Sequence, residues 1–290
     1  MPITWFMMRK LSVTLAILAV CGSCAELRGR KKIQEGTAAY KRGDFPLAVE
    51  RFKEALAYVP DKPLAWLNLG YACRELVTPG ASSADNRAPA LCALDAFKHL
   101  RELEPSNPRG DNLYVQTLFD AGEYRTIERI FSVRHERAPA DLDVVLALQQ
   151  VYVRMGRWRD ALTFYRKAAA LRPHDPEAAY AVGTFIWQSL VAHGGGAAVE
   201  AYDPRPRPGR PEPPALGPND LTGAERIALG EEGIAHLERA ARLRPHYSEA
   251  LIYIGLLYRQ ESFARFDDQP AWEHAIAQSV TYAARAAEKH

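Results

Sequence analysis

Residues 142–175 read LDVVLALQQVYVRMGRWRDALTFYRKAAALRPHD, and this stretch decides the architecture. It reads as two short amphipathic helices joined by a turn at Gly156, with Pro173 stopping the second helix. Tyr152, Gly156, Trp158, Ala161, Tyr165, Ala168 and Pro173 fall at offsets 11, 15, 17, 20, 24, 27 and 32 of a 34-residue frame. Each type has a mechanical reason to be there. Gly156 lets the chain turn, Ala161 and Ala168 let the helices approach, and the aromatics fill the space that is left. One such hairpin cannot bury its apolar face alone, so neighbouring copies are required.

Those offsets are those of the tetratricopeptide repeat (TPR), which the stretch resembles. Working outward, residues 29–62 hold Gly36, Gly43, Phe45, Ala48, Phe52, Ala55 and Pro60 in the same frame. The second copy, 63–107, has Trp66, Leu69 and Gly70, then regains its frame eleven residues late at Ala93, Phe97, Leu100 and Pro105. The extra residues, around Val77 to Pro89, have loop composition. The third, 108–141, keeps Gly122, Tyr124, Phe131 and Pro139 but carries Ile127 and Arg134 where alanines are usual.

The fifth copy, 176–247, has Gly183 and Trp187, resumes at Gly233, Leu237, Ala240 and Pro245, and is 38 residues too long. Its insert, about 193–219, includes His193-Gly194-Gly195-Gly196 and a tract from Tyr202 to Pro218 with seven prolines, expected as polyproline II or disordered chain. Asn219 or Asp220 is expected to cap the helix that follows. The sixth, 248–290, shows Gly255 and Tyr258, loses its frame over Ser262 to Gln269, and closes with an alanine-rich helix from about Pro270. The expected fold is therefore all-α: a TPR solenoid of about six helix-turn-helix repeats over 29–290. Insertions separate helix A from helix B in repeats 2, 5 and 6.

Arg9 and Lys10 precede an apolar run from Leu11 to Val20, which ends in Cys21-Gly22-Ser23-Cys24 and then turns polar. That is the layout of a secretory signal, too short for a spanning helix. It resembles a bacterial lipoprotein signal over 1–23, with Cys24, or alternatively Cys21, as the lipidated residue and 24–28 as a short tether. Ala25 after Cys24, by resemblance to enterobacterial sorting, favours the outer membrane and its periplasmic face.

Charge is nearly balanced. The net charge is +2, and removing Arg9 and Lys10 with the signal leaves 35 basic against 35 acidic residues. A basic stripe for nucleic acid is not evident. No histidine has H-E-x-x-H spacing, and the glycines after His193 lack the lysine of a phosphate loop, so no metal, cofactor, small-molecule substrate or catalytic residue is expected. Cys73 and Cys92 lie symmetrically about the turn of the second repeat. Antiparallel pairing brings them near each other; they read either as a disulfide across the insert or as two buried thiols.

In TPR proteins, helix A positions 2, 5, 9, 12 and 13 line an inner surface. The resemblance places Tyr40, Lys41, Tyr71, Arg74, Glu75, Asn112, Gln116, Phe119, Gln150, Arg154, Tyr180, Trp187, Gln188, Arg259 and Gln260 there. Aromatics, amides and arginines suit a peptide groove, although the same aromatics could equally pack against neighbouring helices. The carboxylate clamp of chaperone cofactors is not matched, since Ile33 and Thr37 hold its places in the first repeat. The whole resembles TPR lipoproteins of gliding-motility machinery or of type IV pili. That implies a scaffold for peptide segments of envelope partners; the alternatives are a secretin pilotin or an adaptor regulating a peptidoglycan enzyme.

Overall fold

The computed structural model describes residues 24–78, 84–193, 221–265 and 268–288. The expected signal segment with Cys21, most of the proline-rich insert, and Asn219 and Asp220 lie outside them. Twelve helices and no strand occur among the described residues: α1 (24–41), α2 (Phe45–Tyr58), α3 (Pro63–Arg74), α4 (Ala84–Leu103), α5 (Pro108–Asp120), α6 (Tyr124–Arg137), α7 (Leu142–Arg154), α8 (Trp158–Leu171), α9 (Pro176–His193), α10 (Gly223–Leu243), α11 (Ser248–Ser262) and α12 (Gln269–Ala287). The fold class is all-α, and odd and even helices are the A and B members of six pairs.

Local chemistry sets the boundaries. Gly43, Gly122 and Gly156 take positive φ at the A-to-B turns of pairs 1, 3 and 4, which a side chain would strain. Asp44, Asn107, Asp141 and Asp268 cap α2, α5, α7 and α12 by accepting backbone N–H bonds. Proline at the first or second position of α2, α3, α5 and α12 fixes φ where no N–H is needed.

The chain divides into two compact units, 1–129 and 130–290, and the division falls within α6, helix B of the degenerate third pair. In the first unit α2 packs on α3, α3 on α4 and α4 on α5. Its core runs through Phe52, Leu69 and Phe97, with Ala48, Ala55 and Ala93 fully covered. In the second unit α7 packs on α8, α8 on α9, α9 on α10, α10 on α11 and α11 on α12, and the two A helices α9 and α11 also touch. Gly70 and Gly183, eighth in their A helices, seat Phe97 and Leu237 of their B helices directly on the helix backbone. This close approach makes each hairpin a unit.

Three boundaries differ from those read in the sequence. Residues 24–28, expected as a tether, belong to α1: Glu26 pairs with Arg30 and with Lys62, and Gly29 packs against Val59, so this turn has partners to hold it. The second half of the insert around Val77 to Pro89 is the start of α4. Buried Asn86 anchors it by accepting from Thr78 N at 2.7 Å and donating to Thr78 O at 2.9 Å, and Pro89 sits early in the helix. The cap of α10 is Thr222, in a reciprocal box with Glu225 whose Thr-x-x-Glu signature is present in the sequence.

Candidate functional site

In the first unit the predicted inner-face residues sit on α1, α3 and α5, or just past their ends, and Tyr40, Tyr71, Arg74, Glu75 and Gln116 among them bond to one another or to Arg109 and Asp120. Tyr40 Oη donates to Glu75 Oε1 at 3.0 Å. Arg74 Nε donates to Asp120 Oδ2 at 2.8 Å and its Nη1 to Gln116 Oε1 at 3.0 Å. Arg109 Nη2 donates to Tyr71 Oη at 3.1 Å. Burial, and after it the Glu75 carboxylate, pushes the Tyr40 phenol above its ordinary range. Arg74, expected to meet a ligand carboxylate, is thus supplied with one by the chain itself. Tyr40 and Tyr71, with Thr37, Phe52 and Asn68, line a small cavity of about 50 Å³.

The second unit is different in kind. Tyr180 of α9 stacks on Tyr247 at 4.9 Å between ring centroids and meets Tyr253 of α11 edge-on at 5.7 Å. Trp187, two turns further along α9, meets the same Tyr253 edge-on at 5.2 Å. Burial pushes the Tyr180 phenol upward, with Tyr253 and the carboxylates of Glu249 and Glu177 adding to it. Ile252 and Leu256, one helical turn apart on α11, remain 41% and 36% exposed. These two aliphatic groups leave apolar area open on the helix that also carries Tyr253.

The other predicted residues divide cleanly. Lys41, Asn112, Gln150, Arg154 and Gln188 are exposed, and their side chains make no hydrogen bond or ion pair among the described residues. Phe119 packs edge-on against Tyr124 at 6.2 Å, and exposed Arg259 lies over the Phe263 ring at 6.0 Å. Gln260 is not on the inner face. It is buried where α11 packs on α10, accepting from Arg226 Nη1 at 2.8 Å. Cys73 of α3 and Cys92 of α4 are joined by a disulfide with their Cα atoms 5.9 Å apart, and Cys24 is an exposed free thiol at the start of α1.

Six residues of these clusters were missed in the sequence. Arg109, Asp120, Ile252 and Leu256 occupy positions 2, 13, 5 and 9 of the repeat frame, so the signal was present. Tyr247 and Tyr253 lie at none of the inner positions, and nothing in the frame points to them.

A family model described as Tetratricopeptide repeat matches residues 33–82 and 146–203. The chain carries tetratricopeptide repeats. Three solved TPR-type chains illustrate the likeness. YrrB, described as a TPR protein with an unusual peptide-binding site, is 13% identical over 81% of this chain and 93% of its own, with a TM-score of 0.39. PilF of Pseudomonas aeruginosa is 13% identical over 87% and 90%, with a TM-score of 0.36. A TPR repeats protein of Bacteroides fragilis is 14% identical over 79% and 97%, with a TM-score of 0.42. These superpositions are too loose to bear on function. No curated protein matches the chain. TPR stacks are typically non-catalytic scaffolds for protein–protein interaction. Among the described residues, no group of three or more His, Cys, Asp or Glu is placed to hold a metal ion, and no helix is long and apolar enough to cross a membrane.

Proposed function

We propose that the chain is a non-catalytic, lipid-anchored TPR scaffold that holds a peptide segment of a partner protein against the A-helix face of its second unit. The observations that carry this are the edge-on contact of Trp187 with Tyr253 between α9 and α11 and the exposed Ile252 and Leu256 on the same α11, which together supply rigid rings and open aliphatic groups. Such groups bury large apolar area on contact at little cost in side-chain entropy. Gln150, Arg154 and Arg259 are exposed on the same set of helices without side-chain hydrogen-bond or ion-pair partners among the described residues. They supply donors and acceptors for a peptide backbone. In the first unit Tyr40, Tyr71, Arg74 and Gln116 already have partners within the chain.

Lipid anchoring through Cys24 at the outer membrane rests on the signal-like segment before it and on the exposed thiol at the start of α1. A periplasmic address is supported by the Cys73–Cys92 disulfide, a bond that persists in oxidising compartments. In its narrowest form the scaffold serves an envelope machine such as a gliding-motility complex, which rests on the sequence resemblance alone.

Selecting a random peptide library on the full chain tests the groove. The expected result is a set of peptides with large apolar residues whose affinity falls at least about tenfold in Trp187→Ala and in Ile252→Glu. Peptides indifferent to both substitutions would sink the reading. Intact mass and membrane fractionation of the wild type and Cys24→Ala in a bacterial host test the anchor, which fails if the wild type is soluble and unmodified.

A further inference from the structure

A pocket of about 230 Å³ opens among α10, α11 and α12, lined by Glu238, Ala241, Arg242, His246, Tyr247, Leu251, Ile254, Tyr282 and Arg285. It belongs wholly to the second unit and shares only Tyr247 with the aromatic cluster described above. Ala241, Leu251 and Ile254 are its apolar part. Arg242, His246 and Arg285 are all exposed beside it.

The charges do not cancel. Glu238 is the one carboxylate in the lining. It accepts from Tyr282 Oη at 3.0 Å, while Arg242 Nη1 stands 3.8 Å from its other oxygen, too far for a hydrogen bond. Arg285 lies over the Tyr282 ring at 4.8 Å and makes no ion pair among the described residues. Two guanidiniums against one carboxylate leave a single positive charge in the lining. The last turn of α10 and the first turn of α11 meet here, so their opposed end charges contribute little on balance.

His246 strengthens the case. It is the only non-glycine residue with positive φ among the described residues, at 68°. That conformation costs about 1 kcal/mol or more and persists only where the surroundings impose it. It sets an imidazole, which carries at least one N–H donor, on the lining at the junction of α10 and α11.

We propose that this pocket binds a carboxylate borne on a single apolar residue: the guanidiniums of Arg242 and Arg285 take the carboxylate, and Leu251, Ile254 and Ala241 take the side chain. A carboxylate carries one negative charge and matches the single uncompensated positive charge, whereas a phosphate dianion would leave the site negative. The size agrees, since the volume lies below the roughly 300 Å³ at which pockets for drug-sized ligands begin. The same chemistry comes from a protein C-terminus or from a free small carboxylate.

The test is titration of the full chain, by calorimetry and by amide NMR shifts, with four probes: N-acetyl-leucine, its amide, a peptide ending in leucine, and the same peptide amidated. The expected result is saturable binding of the acids and none of the amides. Arg285→Gln should weaken binding at least about tenfold, and Arg285→Lys less. Both variants should melt within a few degrees of wild type, because Arg285 is exposed and, among the described residues, its contact is with the Tyr282 side chain alone. Binding of the peptide acid alone assigns the site to a protein C-terminus; binding of N-acetyl-leucine alone assigns it to a free carboxylate. Equal binding of acid and amide, no binding of any probe, or full binding by Arg285→Gln and Arg242→Glu would overturn the proposal. Trp187→Ala should leave the titration unchanged, so this site and the A-helix face succeed or fail separately.

Discussion

Arg74 and Asp120 stand 46 residues apart in the sequence and 2.8 Å apart in the fold. Their bond ties helix A of the second repeat to helix A of the third, and Gln116 adds a second contact to the same guanidinium. A polar face that bonds to itself in this way holds neighbouring repeats in register and offers less to a ligand.

Both side chains are about three-quarters covered, at 23% and 26% exposed, so the pair lies between a surface ion pair and a buried one. Arg74→Ala or Asp120→Ala should each cost about 1 kcal/mol. Urea unfolding of the two single variants and the double variant checks this. The double variant should lose clearly less than the sum, and strict additivity would mean that the bridge contributes nothing.

Reducing the Cys73–Cys92 bond should destabilise the first unit by about 3 kcal/mol, the size expected for a loop of this order. Melting the oxidised chain with and without a thiol reductant reads it directly. Cys73→Ser/Cys92→Ser should melt like the reduced chain and lose its response to the reductant.

Gly70→Ala places a methyl group where the Phe97 ring already sits. The expected cost is about 1–3 kcal/mol from overpacking, read as a lower melting temperature. Combining it with Phe97→Leu should recover part of the loss, because the smaller side chain makes room. Gly43→Ala should cost about 1 kcal/mol for another reason: nothing crowds it, but its φ of 79° is strained for alanine.

Burial holds the imidazole of His236 below its ordinary value of 6.5, against the pull of Glu232 and together with Arg239 and Arg166. A histidine kept neutral in the fold but free to protonate when unfolded stabilises the fold fully above pH 6.5. That contribution is lost as the pH falls below 6.5 toward the lowered folded value. Stability of His236→Gln, measured by urea unfolding from pH 7.5 to 5, should therefore fall less steeply with acid than that of the wild type.

How much of this was legible in the sequence depends on what each feature requires. The repeat frame, the turns at Gly43, Gly122 and Gly156 and the late return of the frame in the second and fifth repeats follow from residue type and spacing. So do the stops at Pro60, Pro105 and Pro173. Helix ends were less legible. Loop-like letters before Pro89 conceal the first turn of α4, because the side chain of Asn86 bonds to backbone eight residues upstream.

The sequence by itself determined an all-α chain of paired helices, since helical period depends only on local backbone geometry. Only the tertiary structure decided what the helix faces meet. Arg74 finds Asp120, Gln260 turns to Arg226, Tyr180 and Trp187 converge on Tyr253, and Arg242, His246 and Arg285 come from two helices and the junction between α10 and α11 to border one pocket. Such meetings depend on helix crossings and rotamers set by packing across tens of residues. A periodic frame read one repeat at a time carries no record of them.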